Sequence, residues 1–288
     1  MRDFDRIARR LIAAADQPLA DRIALLKRLC PELVHQIETD RGPSGPLIFW
    51  GRCRNFDELA GQVIVDPAIL ETVFRIAEQP FSLAHPHAGL QHTYSYLLSV
   101  IDTPYGRKRD RWVRTSLESA FGLPPDVLGP SPTDGTLLAN ATWLAGSIAF
   151  QGHDRLKWMQ RCLSKRVARS LTDMKLDRLK GFRFRETTTF STNGGLCAKV
   201  SFVTDLIRMS FVEEGKSEET WLLVYSIEDD RSRHPQLITL FAVTDEFIQA
   251  IQDRAATLRR SDIRPRYNAY VSGFPSAGCA GKVQLVRR

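Results

Sequence analysis

The sequence predicts an α+β fold, in which an α-rich N-terminal half packs on a mainly antiparallel sheet in the C-terminal half. Up to about residue 180, apolar residues recur every three to four positions, as on the buried side of a helix. From residue 181 the pattern changes to alternating, aromatic and β-branched residues, which are typical of strands. Few helical segments separate these strands, which favours antiparallel pairing. We therefore expect a mostly helical region (1–180) and a sheet-and-helix region (181–288), or one continuous domain with a pocket at their junction.

The composition is that of a globular protein of ordinary core content. Of 288 residues, 43% are hydrophobic and 25% are charged. The net charge of +7 favours anionic partners through its long-range field. The N-terminus lacks the apolar core of a secretory signal, and no run reaches the roughly 18 apolar residues of a membrane span. We therefore expect a cytoplasmic protein without a membrane partner. The five cysteines are scattered and form no CxxC pair, which argues against a disulfide framework or structural zinc.

Proline positions divide the N-terminal region into helices. Pro18 and Pro31 cut residues 3–39 into two or three helices, because proline fits a first turn but not a helix interior. Asp66 followed by Pro67 predicts a helix start, and Pro80 its end. A short apolar run at 47–50 predicts a buried strand, and further helices are predicted at 91–102, 107–121, 137–150 and 153–173.

The C-terminal region contains strand and turn signals. Strands are predicted at 182–190, 197–203, 206–212, 220–227, 237–243, 267–271 and 282–286. Asn193-Gly194 is a hairpin signal, since both residues accept positive φ. The charged run at 213–219 predicts a loop, and Thr244 or Asp245 predicts the start of a helix that runs to Arg260.

The stretch from His85 to Arg114 is the strongest candidate for a functional site. It holds three of the six histidines, several aromatic rings and a basic block. Histidine transfers protons near neutral pH, and a tyrosine hydroxyl is a suitable hydrogen-bonding partner. Two further readings stay open: a metal ion bound by the three histidines, or polar residues in a loop without chemistry. The candidate catalytic residues here are His85, His87, His92, Tyr94 and Tyr105.

The basic block follows a Thr-Pro-Tyr-Gly turn and is expected on one helix. Guanidinium groups bind carboxylate and phosphate through two parallel hydrogen bonds, so this block predicts an anion site. The alternative is a solvated helix face. The candidate substrate-binding residues are Arg107, Lys108, Arg109, Arg111 and Arg114.

The glycine-rich segment 272–281 is a third candidate. Its glycines allow the backbone angles that direct amides towards an anion. Cys279 within it is a candidate nucleophile if a neighbouring cation lowers its pKa, and otherwise a buried thiol. The full pattern of a phosphate-binding loop is missing.

Together these features predict an enzyme of small-molecule metabolism that binds an anionic substrate through arginines and uses histidine for acid and base catalysis. No cofactor is required by the sequence. The alternative is a nucleic-acid-binding protein or a subunit whose partner completes the site. The nucleic-acid alternative relies on two basic ridges, 157–169 and 259–266. The sequence lacks any known nucleic-acid-binding signature.

Overall fold

The computed structural model confirms the α+β class. It describes residues 3–42, 45–57, 60–103, 106–110, 136–150, 175–177, 183–191, 197–213, 216–232, 234–249 and 269–270.

Three helices open the chain where the prolines predicted them. Helix α1 spans Phe4–Ala13, α2 spans Leu19–Leu29 and α3 spans Pro31–Asp40. The Asp3 carboxylate accepts a hydrogen bond from the Arg6 amide (3.0 Å), which satisfies one of the free amides of the first turn.

Helices α4 (Pro67–Ile76) and α5 (Leu137–Ala149) also match their predictions. Asp66 accepts from the Ala68 amide (2.8 Å), which confirms it as the cap of α4. Helix α4 ends before Pro80, because Glu78 adopts a left-handed backbone (φ 54°) that ends helical geometry. Thr136 caps α5 by accepting from the Ala139 amide (3.0 Å).

Three predictions in the first half of the chain were wrong. Pro46–Phe49 forms a 3₁₀ turn instead of a strand, and only Trp50 after it makes a bridge, parallel to Leu237. Arg107 does not open a helix. It lies in a two-stranded hairpin of β2 (Asp102–Thr103) and β3 (Gly106–Arg107), and helical geometry begins at Asp110. The predicted helix at 91–102 is a π turn (Leu90–Tyr94) followed by a 3₁₀ turn (Ser95–Leu98).

The main sheet is antiparallel, as predicted. Its strands are β4 (Lys175–Asp177), β5 (Arg183–Ser191), β6 (Cys197–Glu213), β7 (Lys216–Asp229) and β8 (Gln236–Val243). Strands β4 and β5 both pair with β6, which pairs with β7, which pairs with β8. Ser191 is the register partner of Cys197, which confirms the hairpin signalled by Asn193-Gly194.

Three details of the sheet differ from the prediction. Strand β6 is one 17-residue strand, because Thr204 and Asp205 pair with β7 without a break. Most of the charged run at 213–219 belongs to β7, since residues 216–219 pair with residues 210–213. Strand β4 was not anticipated, because the sequence before residue 181 was read as helical.

The two halves of the chain join through short extended segments. Strand β1 (Arg52–Cys53) pairs with β9 (Ala269–Tyr270), and the Gly51 amide donates to the carbonyl of Leu237 in β8 (2.9 Å). Helix α5 packs on β6, β7 and β8 and is buried along nearly its whole length. In the described part of the chain, no helix has both the length and the apolar character to cross a membrane.

Candidate functional site

The candidate site lies where three extended segments meet. Arg52 is the register partner of Tyr270 on one side and of His87 on the other. The backbone fixes this arrangement, since the Cys53 amide donates to the Pro86 carbonyl (3.0 Å). Directly opposed residues in antiparallel pairs point to the same face, so these side chains share one surface.

That surface lines a cavity of about 390 Å³ at the junction of the helical and sheet regions. Its wall includes Arg41, Trp50, Arg52, His87, Gln236 and Tyr270. A second cavity of about 300 Å³ adjoins it, and both are lined by Gly51, Gln236 and Tyr270. Both volumes are near the lower end of the range of small-molecule pockets, about 300–1,000 Å³.

The first cavity is cationic. Arg52 is exposed, and its Nη1 donates to the His85 carbonyl (3.1 Å). Among the described residues, no carboxylate forms an ion pair with Arg52. Arg41 pairs with Glu78 (3.0 Å), but both side chains are exposed, so solvent weakens that attraction. Among the described residues, the Arg52 guanidinium therefore has one hydrogen-bond acceptor, the His85 carbonyl.

His85 does not line either described cavity, but its ring contacts a residue that lines both. Its ring stacks on Tyr270, with the ring centroids 3.5 Å apart and the planes inclined by 21°. Partial burial, together with the charges of Arg54 and Arg52, lowers the pKa of His85. These causes favour the neutral imidazole over the charged one. No described residue hydrogen-bonds to its ring nitrogens, so the ring can accept a proton.

His87 has a structural role instead. Its Nε2 donates to the Leu47 carbonyl (2.9 Å), and its Nδ1 accepts from the Leu90 amide (3.4 Å). Burial lowers the pKa of His87 to about 4. Both ring nitrogens are thus engaged in holding the turn after residue 87, although the ring also lines the cavity.

His92 and Tyr94 are buried in the π turn. The His92 ring packs against Tyr96 (centroids 4.7 Å apart). The Tyr94 hydroxyl donates to the Asp40 carboxylate, which also accepts from the Thr136 hydroxyl. Burial raises the pKa of Asp40 to about 7, although both hydrogen bonds act in the opposite direction. Burial and the neighbouring Asp40 raise the pKa of Tyr94 well above its ordinary value. Neither His92 nor Tyr94 lines the cavities described above.

The described part of the basic block, residues 107–109, pairs with acidic residues of the protein. Arg107 and Arg109 each bind one oxygen of Asp5 (2.5 and 2.6 Å), while Lys108 binds Asp57 (2.9 Å). Arg107 also pairs with Asp102 (2.7 Å). None of these three cations lines either described cavity. Their charges are largely neutralised where they lie.

Several candidates fall outside the described residues. These are Tyr105, Arg111, Arg114, Cys279 and the basic ridges at 157–169 and 259–266.

The described residues do not form a metal site. Within them, no three His, Cys, Asp or Glu side chains are close enough to share a metal ion. The three histidines have separate neighbours: His85 contacts Tyr270, His87 contacts Leu47 and His92 contacts Tyr96.

Of the predicted site residues, His87 lines the first cavity and His85 contacts its wall, whereas Arg41, Arg52 and Tyr270 were not predicted. A signal for Arg52 was present, since Arg52 and Arg54 alternate with the fully buried Cys53 as in a half-buried strand. Tyr270 had no such signal, because its position depends on pairing with a strand more than 200 residues earlier.

Comparison of the chain with protein-family models, with curated proteins and with solved structures found no match.

Proposed function

We propose that the protein is a cytoplasmic enzyme of small-molecule metabolism, which binds an anionic substrate at Arg52 and uses His85 as the base. The observation that carries this proposal is the position of Arg52, which has no carboxylate partner among the described residues, on the wall of a cavity that also includes Tyr270, the residue on which His85 stacks.

The anion is proposed to bind to Arg52, with Arg41 contributing a weaker attraction. Arg52 is tethered through one N–H to the His85 carbonyl, which limits its side-chain freedom before binding. A pre-positioned guanidinium loses less conformational entropy on binding than a free one. Hydrogen bonds between a charged donor and a charged acceptor contribute about 1.5–3 kcal/mol each.

His85 is proposed to take a proton from the bound substrate. A base needs an available lone pair near neutral pH, and the lowered pKa of His85 keeps its ring neutral there. Once protonated, the imidazolium lies near the charge that the reaction leaves on the substrate, while Arg52 stabilises that same charge. His87 is unsuited to this role because both its nitrogens are already hydrogen-bonded.

The test of this proposal is the binding of inorganic phosphate, measured by isothermal titration calorimetry. We expect Arg52→Gln to weaken phosphate binding at least tenfold, because the loss of one charge-assisted bond exceeds about 1.4 kcal/mol. Arg9→Gln is the matched control, because Arg9 is exposed on α1. Its substitution changes the net charge of the protein by the same amount as Arg52→Gln.

Two results would contradict the proposal. Wild-type protein that binds no phosphate at millimolar concentration would exclude an anion site. Equal weakening by Arg52→Gln and Arg9→Gln would show that net charge, and not the cavity, attracts the anion.

A further inference from the structure

The wall of the first cavity combines cationic and apolar side chains. Arg41 and Arg52 supply positive charge, and no acidic side chain is among the described residues that line this cavity. The apolar part comes from one short segment, residues 47–50, of which Leu47, Ile48 and Trp50 line the cavity. A ligand in this cavity would therefore meet both positive charge and apolar surface.

Ile48 is the most exposed of these apolar wall residues. The 3₁₀ turn Pro46–Phe49 buries Leu47 and Phe49, whereas 49% of the Ile48 surface remains exposed. Of the large hydrophobic residues that the described part of the chain exposes, Ile48 is the one that lines a described cavity. Covering such a surface with an apolar group is favourable, because it removes apolar area from water.

The polar groups beside this apolar surface already have hydrogen-bond partners. The Trp50 Nε1 donates to the Thr142 hydroxyl (2.7 Å), and both His87 ring nitrogens are engaged by Leu47 and Leu90. These groups are therefore occupied before a ligand arrives. What the segment at 47–50 offers a ligand through its side chains is mainly carbon surface.

We infer that the anion bound at Arg52 carries an apolar body, which lies against Ile48 on the wall of the same cavity. The inference rests on the proposed function, because it takes the anion site at Arg52 as its starting point. It concerns the body of the ligand and holds for any anionic group that a guanidinium can bind.

The apolar body adds affinity that a small hydrophilic anion cannot gain. A small hydrophilic anion would leave the Ile48 side chain in water, so it would be held by charge alone. An anion with an apolar body would also remove carbon surface from water on both the ligand and the protein. Small-molecule pockets commonly combine such apolar contact with a few polar groups that fix the orientation of the ligand.

The experiment compares acetate and hexanoate, which share one anionic group and differ in apolar length, by calorimetry with the whole protein. We expect hexanoate to bind at least tenfold more tightly than acetate, a gain that requires burial of about two of its methylene groups. Arg52→Gln should weaken the binding of both. In Ile48→Ser the advantage of hexanoate should fall at least threefold, while the affinity for acetate is kept.

Two control variants separate contact in the cavity from general loss of apolar surface. Val63→Ser removes a similarly exposed apolar side chain, 42% exposed, which does not line either described cavity. Ile48→Leu keeps an apolar side chain in the wall. Both variants should keep the advantage of hexanoate over acetate.

Three results would overturn the inference while leaving the anion site intact. The first is equal affinity for acetate and hexanoate, with both dependent on Arg52. The second is an advantage that Ile48→Ser leaves unchanged or that Val63→Ser lowers equally. The third is binding of inorganic phosphate without binding of either carboxylate. Absence of binding by all three anions would overturn the inference together with the proposed function.

Discussion

Asp40 and His87 titrate in opposite senses. Asp40 is almost fully buried and has a pKa of about 7, compared with 3.8 when unfolded. The folded state therefore binds more protons than the unfolded state between pH 3.8 and 7, and this group lowers stability as pH rises through that range. His87 has a pKa of about 4, compared with 6.5 when unfolded. Between pH 4 and 6.5 the unfolded state binds more protons than the folded state, so the contribution of His87 makes stability increase as pH rises through that range.

Asp40→Asn should therefore change the pH dependence of stability. Without the opposing carboxylate, the free energy of unfolding should increase more steeply from pH 4 to 6.5 than in the wild type. Above pH 7 the free energy of unfolding of the variant should rise relative to that of the wild type. The gain is up to about 1.4 kcal/mol for each unit by which folding raises the pKa of Asp40. About 1 kcal/mol of this is offset, because an asparagine accepts from only one of the two hydroxyls on Tyr94 and Thr136.

Urea denaturation at pH 4.5, 6 and 7.5 measures this effect, with Asp16→Asn as the exposed control. A difference between Asp40→Asn and wild type that stays constant over these pH values would show that Asp40 does not titrate as described.

At the scale of elements, one acidic residue holds the β2–β3 hairpin against α1. Asp5 lies in the first turn of α1, where its charge also suits the helix dipole. Burial raises its pKa, but the hydrogen bonds from Arg107 and Arg109 outweigh this and leave the pKa below its ordinary value. Arg107 and Arg109 therefore connect the hairpin segment to α1.

Asp5→Asn should reduce the free energy of unfolding by about 1–2 kcal/mol, because two partly buried arginines lose their shared carboxylate. The loss should shrink in 0.5 M salt, since screening weakens the lost attraction. Urea titrations of Asp5→Asn and of the control Asp16→Asn at two salt concentrations measure both effects. A loss below 0.3 kcal/mol at low salt, or one shared with the control, would contradict the role of Asp5.

The elements that sequence reasoning predicted well are those with local causes. Pro31 and Asp66 act within one helical turn, and each marks a helix start in the structure. The wrong assignment of Arg107 has a non-local cause. Its side chain was read as part of a helical basic face, but its partner Asp5 lies about 100 residues away. The spacing of residues near Arg107 cannot indicate a contact with a residue so distant in sequence.

At the scale of the whole molecule, the site depends on chain segments that are distant in sequence. Residues near position 50, position 86, position 236 and position 270 meet at the junction of the helical and sheet regions. From the net charge and the histidines of the chain, we predicted that the protein binds an anion and uses a histidine as a base. Which arginine accompanies His85 was not predictable, because the choice is made by pairing between β1 and β9.

The most direct test of this account is the pKa of His85, measured by NMR with and without saturating phosphate. The His85 resonance is assigned by its loss in His85→Asn. We expect a pKa below 6.5 in the free protein, since Arg52 and Arg54 oppose protonation. It should rise when phosphate neutralises that charge, and the rise should disappear in Arg52→Gln. A His85 pKa at or above 6.5 in the free protein, or one that phosphate leaves unchanged, would contradict the pairing of anion site and base.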